Sequence, residues 1–190
     1  RDFCLSRGLG DVYKRQLSYN YFEVQNIMKD IYDCHKDLLG FFADFERYKE
    51  EDLTESDTRS KIIDKLFTEV LDWDENSIDR EGYVVEGFYD YLFSIPGFQF
   101  IVEAKRNFVD FIIPNKHKAV TIGTFAKENK DVVDQIRRYL FEKGLQYAVI
   151  TNGHQFIIGK FCNTDGSDWK HNKCLIFNAV SYTHLTLPTN

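Results

Sequence analysis

Three side chains are of types and at spacings that could do chemistry together: Asp90, Glu103 and Lys105. Two runs that read as strands, Phe88 to Ile95 and Phe98 to Lys105, flank Pro96-Gly97. A hairpin turning there pairs residues whose numbers add to 193, which sets Asp90 opposite Glu103. Directly opposed side chains have Cβ atoms about 4.5–5.5 Å apart, so two carboxylates there repel and fold stability alone disfavours them. A divalent cation removes that objection. Because side chains alternate faces along a strand, Lys105 shares the face of Glu103 while Ala104 points the other way, among apolar neighbours. Two carboxylates offer hard oxygen ligands for Mg²⁺, and an ammonium beside them can position, or help deprotonate, a water next to a phosphodiester. The chemistry would be metal-assisted phosphodiester hydrolysis. The bland alternative is an Asp90 at a strand end in solvent and a Glu103–Lys105 surface ion pair, worth little. Against it, the Glu-x-Lys sits inside a run of apolar strand residues, where a charge needs a reason.

The elements that must position these groups follow from periodicity. Residues 21–49 place Phe22, Val24, Ile27, Met28, Ile31, Leu38, Leu39, Phe42 and Phe45 at mostly three- and four-residue spacing, which predicts a helix, either continuous or broken at Gly40. A second helix is capped by Ser56 or Asp57 and buries Ile62, Ile63, Leu66, Phe67, Val70 and Leu71. Arg80 to Gly87 reads as a loop before the hairpin, and residues 108–113 and 118–125 as a third strand or a strand with a loop. Lys127 to Lys143 reads as a helix stopped at Gly144, and Gln146 to Thr151 and His154 to Phe161 as strands joined across Asn152-Gly153. On that helix Gln135 and Tyr139 are four apart and share a face, with Arg138 beside them. An amide, a phenol and a guanidinium there could hold a nucleic-acid backbone; the alternative is that Tyr139 packs in the core beside Ile136 and Leu140.

With 190 residues, 43% hydrophobic and 28% charged, the composition is that of an ordinary globular chain. No apolar run reaches the roughly 18–20 residues of a membrane helix, so no membrane partner is expected. Four scattered cysteines without zinc-ligand spacing imply a reducing, cytoplasmic setting. Cys34-His35 and His154 read as surface and hairpin residues with no metal role. Both ends read as foreign to the fold. Ser6 to Gln16 back-translates with GATGTGTATAAGAGACAG at its end, and the reverse complement of that run, in another frame, encodes Val180 to Leu185. The two termini therefore resemble translated transposon sequencing adapters, and the expected organisation is residues 1–16 and 180–190 as non-native tails, 17–54 as a helical extension and 55–179 as the functional domain. A C-terminal continuation is expected to be missing. The charge is unevenly placed: Asp44 to Asp90 holds 16 acidic and 6 basic residues, whereas Glu103 to Lys143 holds 9 basic and 6 acidic. Only the second stretch, with Lys116, His117, Lys118, Lys127 and Lys130, is suited to track phosphates.

Four motifs in order carry a resemblance. Asp90-Tyr91, Ile101-Val102-Glu103-Ala104-Lys105-Arg106, Gln135-Ile136-Arg137-Arg138-Tyr139 and Ile150-Thr151-Asn152-Gly153, together with the opening Glu55-Ser56-Asp57-Thr58-Arg59, resemble the N-terminal nuclease domain of type I restriction enzyme R subunits, within the PD-(D/E)XK nuclease superfamily. The likeness covers about residues 55–161. It implies an α/β fold, a restriction-endonuclease-like mixed sheet flanked by helices, here with an N-terminal helical extension. It further implies a Mg²⁺ ion, with Mn²⁺ as a substitute, held by Asp90, Glu103 and the Ala104 carbonyl; Lys105 serves the attacking water, and Gln135, Tyr139 and Glu55 stand near the active site. The implied partner is DNA, joined by a motor, ATPase or specificity module in a missing C-terminal part or another chain. Tyr89 stands where the family name has proline, and no helicase motor is present, so a phage-defence protein with a different fused module fits as well as an R subunit. The contrasting expectation is a nuclease-fold module that binds nucleic acid or a partner without cutting.

Overall fold

The computed structural model describes residues 31–45, 48, 50–85, 87–113 and 119–178. The adapter-like tails, the first part of the expected N-terminal helix and the Lys116-His117-Lys118 cluster lie outside them. The protein is a mixed α/β structure built on a seven-stranded sheet in the order β1-β2-β3-β5-β6-β7-β4. The strands are β1 (Ile78–Val84), β2 (Gly87–Ile95), β3 (Phe98–Ala104), β4 (Ala119–Thr121), β5 (Tyr147–Thr151), β6 (Gln155–Lys160) and β7 (Lys173–Asn178). All neighbours run antiparallel except β3 and β5, which are parallel. A parallel pair requires a crossover, and two helices supply it: α3 (Ile122–Glu128) and α4 (Lys130–Lys143).

Among the described residues two helices precede the sheet. Helix α1 (Ile31–Phe45) runs through Gly40 without a break. Helix α2 opens at Glu55–Thr58 and continues through two widened, π-helical stretches, Arg59–Ile63 and Leu66–Val70. Its cap is Thr54, not Ser56 or Asp57: the Thr54 hydroxyl accepts the Asp57 N–H and in turn donates to the Asp57 carboxylate. The expected stripe is buried except for Leu71, which the end of the helix leaves exposed.

The sheet separates two cores. On one face α1 and α2 pack with Tyr91, Phe93, Val102, Ala104, Val149 and Phe156; on the other α3 and α4 pack with Ile101, Ala148, Ile150 and Ile157. The alternation of Ile101, Val102, Glu103 and Ala104 between faces is the period-two geometry of a strand. Phe93 and Phe100 are cross-strand partners stacked at 4.9 Å, with Trp73 edge-on to Phe93 at 5.0 Å. Aromatic pairs of this kind are worth about 0.5–1.5 kcal/mol each beyond burial, so they pin the β2–β3 register. Part of the α1/α2 face forms an apolar groove of about 380 Å³ lined by Leu38, Phe67, Phe98, Tyr147, Ile158 and Phe177, among others.

Several local expectations change. Arg80 to Gly87 is mostly strand: β1 pairs with β2, its alternating exposure reflecting an edge strand with one wet face. Of the described residues 119–125, only Ala119–Thr121 is extended; Thr121 then caps α3 through its hydroxyl, and 108–113 is irregular. The helix expected over 127–143 is two helices meeting at Asn129, where φ −124° departs from helical geometry. Gly144 ends α4 at φ 68°, the left-handed conformation a glycine adopts without steric cost.

Candidate active site

The hairpin turns at Pro96-Gly97 with the expected register, Tyr91 facing Val102 through to Ile95 facing Phe98. Past Tyr91 the ladder changes character. The Ala104 N–H, instead of joining the β2 backbone, donates to Asp90 Oδ2 at 2.7 Å. The same registers put Glu81 of β1 across from Asp90 on its other side, between the recorded pairs Arg80–Tyr91 and Gly82–Tyr89. Three carboxylates, Glu81, Asp90 and Glu103, thus lie in a row across β1, β2 and β3. Like charges so placed repel, and two cations offset them. Arg59 of α2 reaches both Asp90 Oδ1 at 3.1 Å and Glu81 Oε1 at 2.8 Å, while Lys105 Nζ donates to Glu103 Oε1 at 2.7 Å.

From Lys105 the polar chain runs onto α4. Lys105 Nζ donates to Gln135 Oε1 at 3.1 Å, and Gln135 Nε2 donates to the Tyr139 hydroxyl at 2.9 Å. Tyr139 is buried in the α4-side core, so core packing and membership in the polar chain are one placement. Glu55, first residue of α2, is close enough to act electrostatically on Asp90, Glu103 and Lys105. Asp90, Glu103, Ala104, Lys105, Gln135, Tyr139 and Glu55 therefore gather in one region. Ala104 itself is fully buried on the opposite face.

The electrostatics follow from burial. Glu103 is 2% exposed, and loss of water, reinforced by the Asp90 charge and only partly opposed by Lys105, pushes its carboxyl up to about 7. Asp90 is also raised, chiefly by burial; the Ala104 N–H and Arg59 work against that shift, and Glu55 adds to it. For Lys105 burial favours the neutral amine, but attraction to Glu103 and the hydrogen bond to it, with Glu55 and Asp90, outweigh burial and hold it above the ordinary lysine value. Lys105 is consequently an ammonium at neutral pH, suited to donate hydrogen bonds and not to remove a proton. Glu103 Oε2 is buried without a hydrogen-bond partner. An orphaned carboxylate oxygen is costly in a dry site, and it is the donor a hard cation takes.

The residues present fit a hard divalent ion that keeps much of its water shell, since such an ion needs only one or two protein carboxylates. Among the described residues no group of three or more His, Cys, Asp or Glu side chains is placed to hold a metal, so the protein would contribute few ligands. Cys162 and Cys174 form no disulfide, and His154 pairs with Asp110 at 3.0 Å. Of the basic residues, Arg137 stacks on Trp169 at 3.8 Å and donates to the Phe161 carbonyl, and Lys130 pairs with Asp134, which leaves both engaged within the fold.

Sequence reasoning missed the residues that hold the site in place. Asn107 takes the Leu53 N–H on its carbonyl and donates to the Tyr48 and Glu51 carbonyls, while its own N–H donates to Thr58 Oγ1. That ties the loop after Lys105 to the start of α2. Asn152 reaches the Val109 carbonyl and accepts the His154 and Gln155 N–H groups, and Gln155 Oε1 accepts the Phe111 N–H. The only sequence signal was the polarity of Asn107, Asn152 and Gln155 beside apolar strands. Comparison of the chain with protein-family models, curated proteins and solved structures returns no match.

Proposed function

We propose that this chain is a Mg²⁺-dependent endonuclease domain with a restriction-endonuclease-like fold, hydrolysing DNA phosphodiester bonds as part of a restriction or phage-defence protein of the cytoplasm. The observation that carries the reading is the buried Glu103 carboxylate: one oxygen rests on Lys105, the other has no hydrogen-bond partner, and the Asp90 charge acts on it from just beyond the last paired residues of the hairpin. In this reading Asp90, Glu103 and the Ala104 carbonyl hold the ion, which when bound supplies Lewis-acid polarisation of the phosphate and a more acidic water. Lys105 donates hydrogen bonds to the attacking water and to the charge that grows on the phosphate oxygens. Gln135, fixed between Lys105 and Tyr139, keeps the ammonium aimed and offers its amide to the strand. Glu55 tunes the field at the entrance of the site. A motor or specificity module acting with this domain accounts for control of cutting.

The test is Mg²⁺-dependent nicking of plasmid DNA, with any ATP or partner requirement supplied. Glu103→Gln removes a charge from the ion's shell and lowers cutting by orders of magnitude, with loss of Mn²⁺ binding. Lys105→Ala lowers cutting as severely while Mn²⁺ still binds, because the ammonium acts on the water and the phosphate. Gln135→Ala and Tyr139→Phe cost on the order of 10–100-fold, as positioning groups do. Equal cutting by wild type and Glu103→Gln would overturn the mechanism. DNA binding by wild type without any cutting would favour a non-cleaving nuclease-fold module.

A further inference from the structure

Arg59 touches both Asp90 and a second carboxylate, Glu81, on the neighbouring strand. The Arg59 side chain is 19% exposed, whereas that of Glu81 is 66% exposed, so the arginine is anchored inside and held from outside. It sits in the first widened stretch of α2, where the Asp64 N–H bonds back five residues to the Arg59 carbonyl; such stretches displace side chains from regular helical positions. Glu81 has φ 56° in the interior of β1, a left-handed conformation unusual for a non-glycine residue, and next to it Gly82 passes so close under Tyr89 that a Cβ would fall 1.9 Å from the hydroxyl. The irregular part of β1 is thus where Glu81 meets Arg59. Beside the guanidinium lies a polar cleft of about 230 Å³ lined by Ser56, Ser60, Asp64, Arg80, Glu81 and Tyr91, which leaves Arg59 room to turn.

A guanidinium on Asp90 occupies the same carboxylate that the proposed ion needs. Both are cations competing for one anion, and Glu81 offers the arginine another seat. We propose that Arg59 is a two-position residue: it neutralises Asp90 before the metal arrives, and once Asp90 is given to the ion it stays on Glu81 and donates its freed N–H groups to a phosphodiester oxygen of the substrate. Glu81 is then a positioning residue that acts through Arg59. The inference rests on the metal-site reading above. A planar fork of donors suits both tasks, since it can bond a carboxylate and a phosphate in turn.

The experiment is a double-mutant cycle on Mn²⁺ affinity, read from the electron paramagnetic resonance signal of free Mn²⁺, for wild type, Arg59→Gln, Glu81→Gln and the double variant, with Glu103→Gln as the control that removes a ligand. Arg59→Gln is expected to tighten Mn²⁺ binding roughly fivefold, the effect of about one unit charge a few Å away in a wet site. Glu81→Gln is expected to weaken it by removing the alternative seat, and to do nothing further once Arg59 is gone. In nicking assays at saturating metal, Arg59→Gln is expected to cut more slowly than wild type despite its tighter metal. Independent, additive effects of the two substitutions on Mn²⁺ binding would overturn the two-position role, because long-range charge alone explains additivity. Unchanged Mn²⁺ affinity in Arg59→Gln, with binding lost in Glu103→Gln, would also overturn it and leave the nuclease reading standing. Failure of every version to bind Mn²⁺ would overturn the metal site and this inference together. Equal cutting by wild type and Arg59→Gln at saturating metal would remove the phosphate contact.

Discussion

At the scale of single residues the buried acid Glu103 governs both chemistry and stability. Its carboxyl is pushed up to about 7 from an ordinary 4.5, so between those values the folded state holds a proton that the unfolded chain has released. Folding stability then falls as pH rises, and the contribution of neutral Glu103, full below about 4.5, is lost as pH passes 7. Glu103→Gln, which imitates the neutral acid, is therefore expected to make the metal-free protein more stable than wild type at pH 8 by roughly 1–3 kcal/mol, with little difference at pH 5. Thermal melts at the two pH values check this. Mg²⁺ or Mn²⁺ should raise the melting temperature of wild type at pH 8 and leave that of Glu103→Gln unmoved, because a ligand stabilises only the state that binds it. A wild type that is the more stable protein at pH 8 without metal would show that Lys105 alone compensates the buried charge.

At the scale of elements, what matters is how α2 is held against the end of β3. The loop after Lys105 carries Asn107, 5% exposed, whose side chain and backbone are tied to Tyr48, Glu51, Leu53 and Thr58. Asn107→Ala leaves the Leu53 N–H and two carbonyls without their partner. At about 1–3 kcal/mol for each buried group left unpaired, and with water rescuing the more open ones, the expected loss is roughly 2–4 kcal/mol. For a domain of this size that is a drop on the order of 5–15 °C in melting temperature. Below its melting range the variant should also nick DNA more slowly, since Glu55 and Arg59 ride on the released helix start. A second lever is Gly153, at φ 91° with Ile62 Cγ2 3.0 Å from where a Cβ would stand. Gly153→Ala is expected to destabilise the protein by about 1–3 kcal/mol, from left-handed strain and from pressure on the α2 core, as a denaturant midpoint would show.

At the scale of the whole molecule the site sits where the most protected strands end. Strands β3 and β5 are central, paired on both sides and covered on both faces, whereas β1 and the three-residue β4 are the sheet's two edges. Hydrogen exchange is expected to be slowest in Phe100–Ala104 and Ala148–Thr151, and much faster in Ala119–Thr121 and the outer edge of β1. A rigid β3 keeps Glu103 and Lys105 in place, while Glu81, on the edge strand, is free to follow Arg59. Slow exchange throughout β1, equal to that of β3, would contradict that division. No helix among the described residues is long and apolar enough to cross a membrane.

The parts of this protein that its sequence determined are those in which the decisive neighbours are close along the chain. Pro96-Gly97 and the alternating runs beside it set the hairpin register, and with it the nearness of Asp90 to Glu103; Gly144 and the helical period set α4 and the pairing of Gln135 with Tyr139. Turn residues and periodicities of two and 3.6 residues are local, so they can be read without knowing the fold. The edge strand β1 reads as a loop because its wet face and Gly82 hide the alternation, and the first turn of α3 falls in a segment that reads as strand or strand with loop because Thr121 as a cap looks no different from a β-branched strand residue. Only the tertiary structure decided that Lys105 meets Gln135 across 30 residues, that Arg59 reaches Asp90 across 31, and that Asn107 fastens Leu53 across 54. Such contacts depend on which element packs on which face, and that choice is made by burying the two cores together, a sum over the whole chain that no local pattern contains.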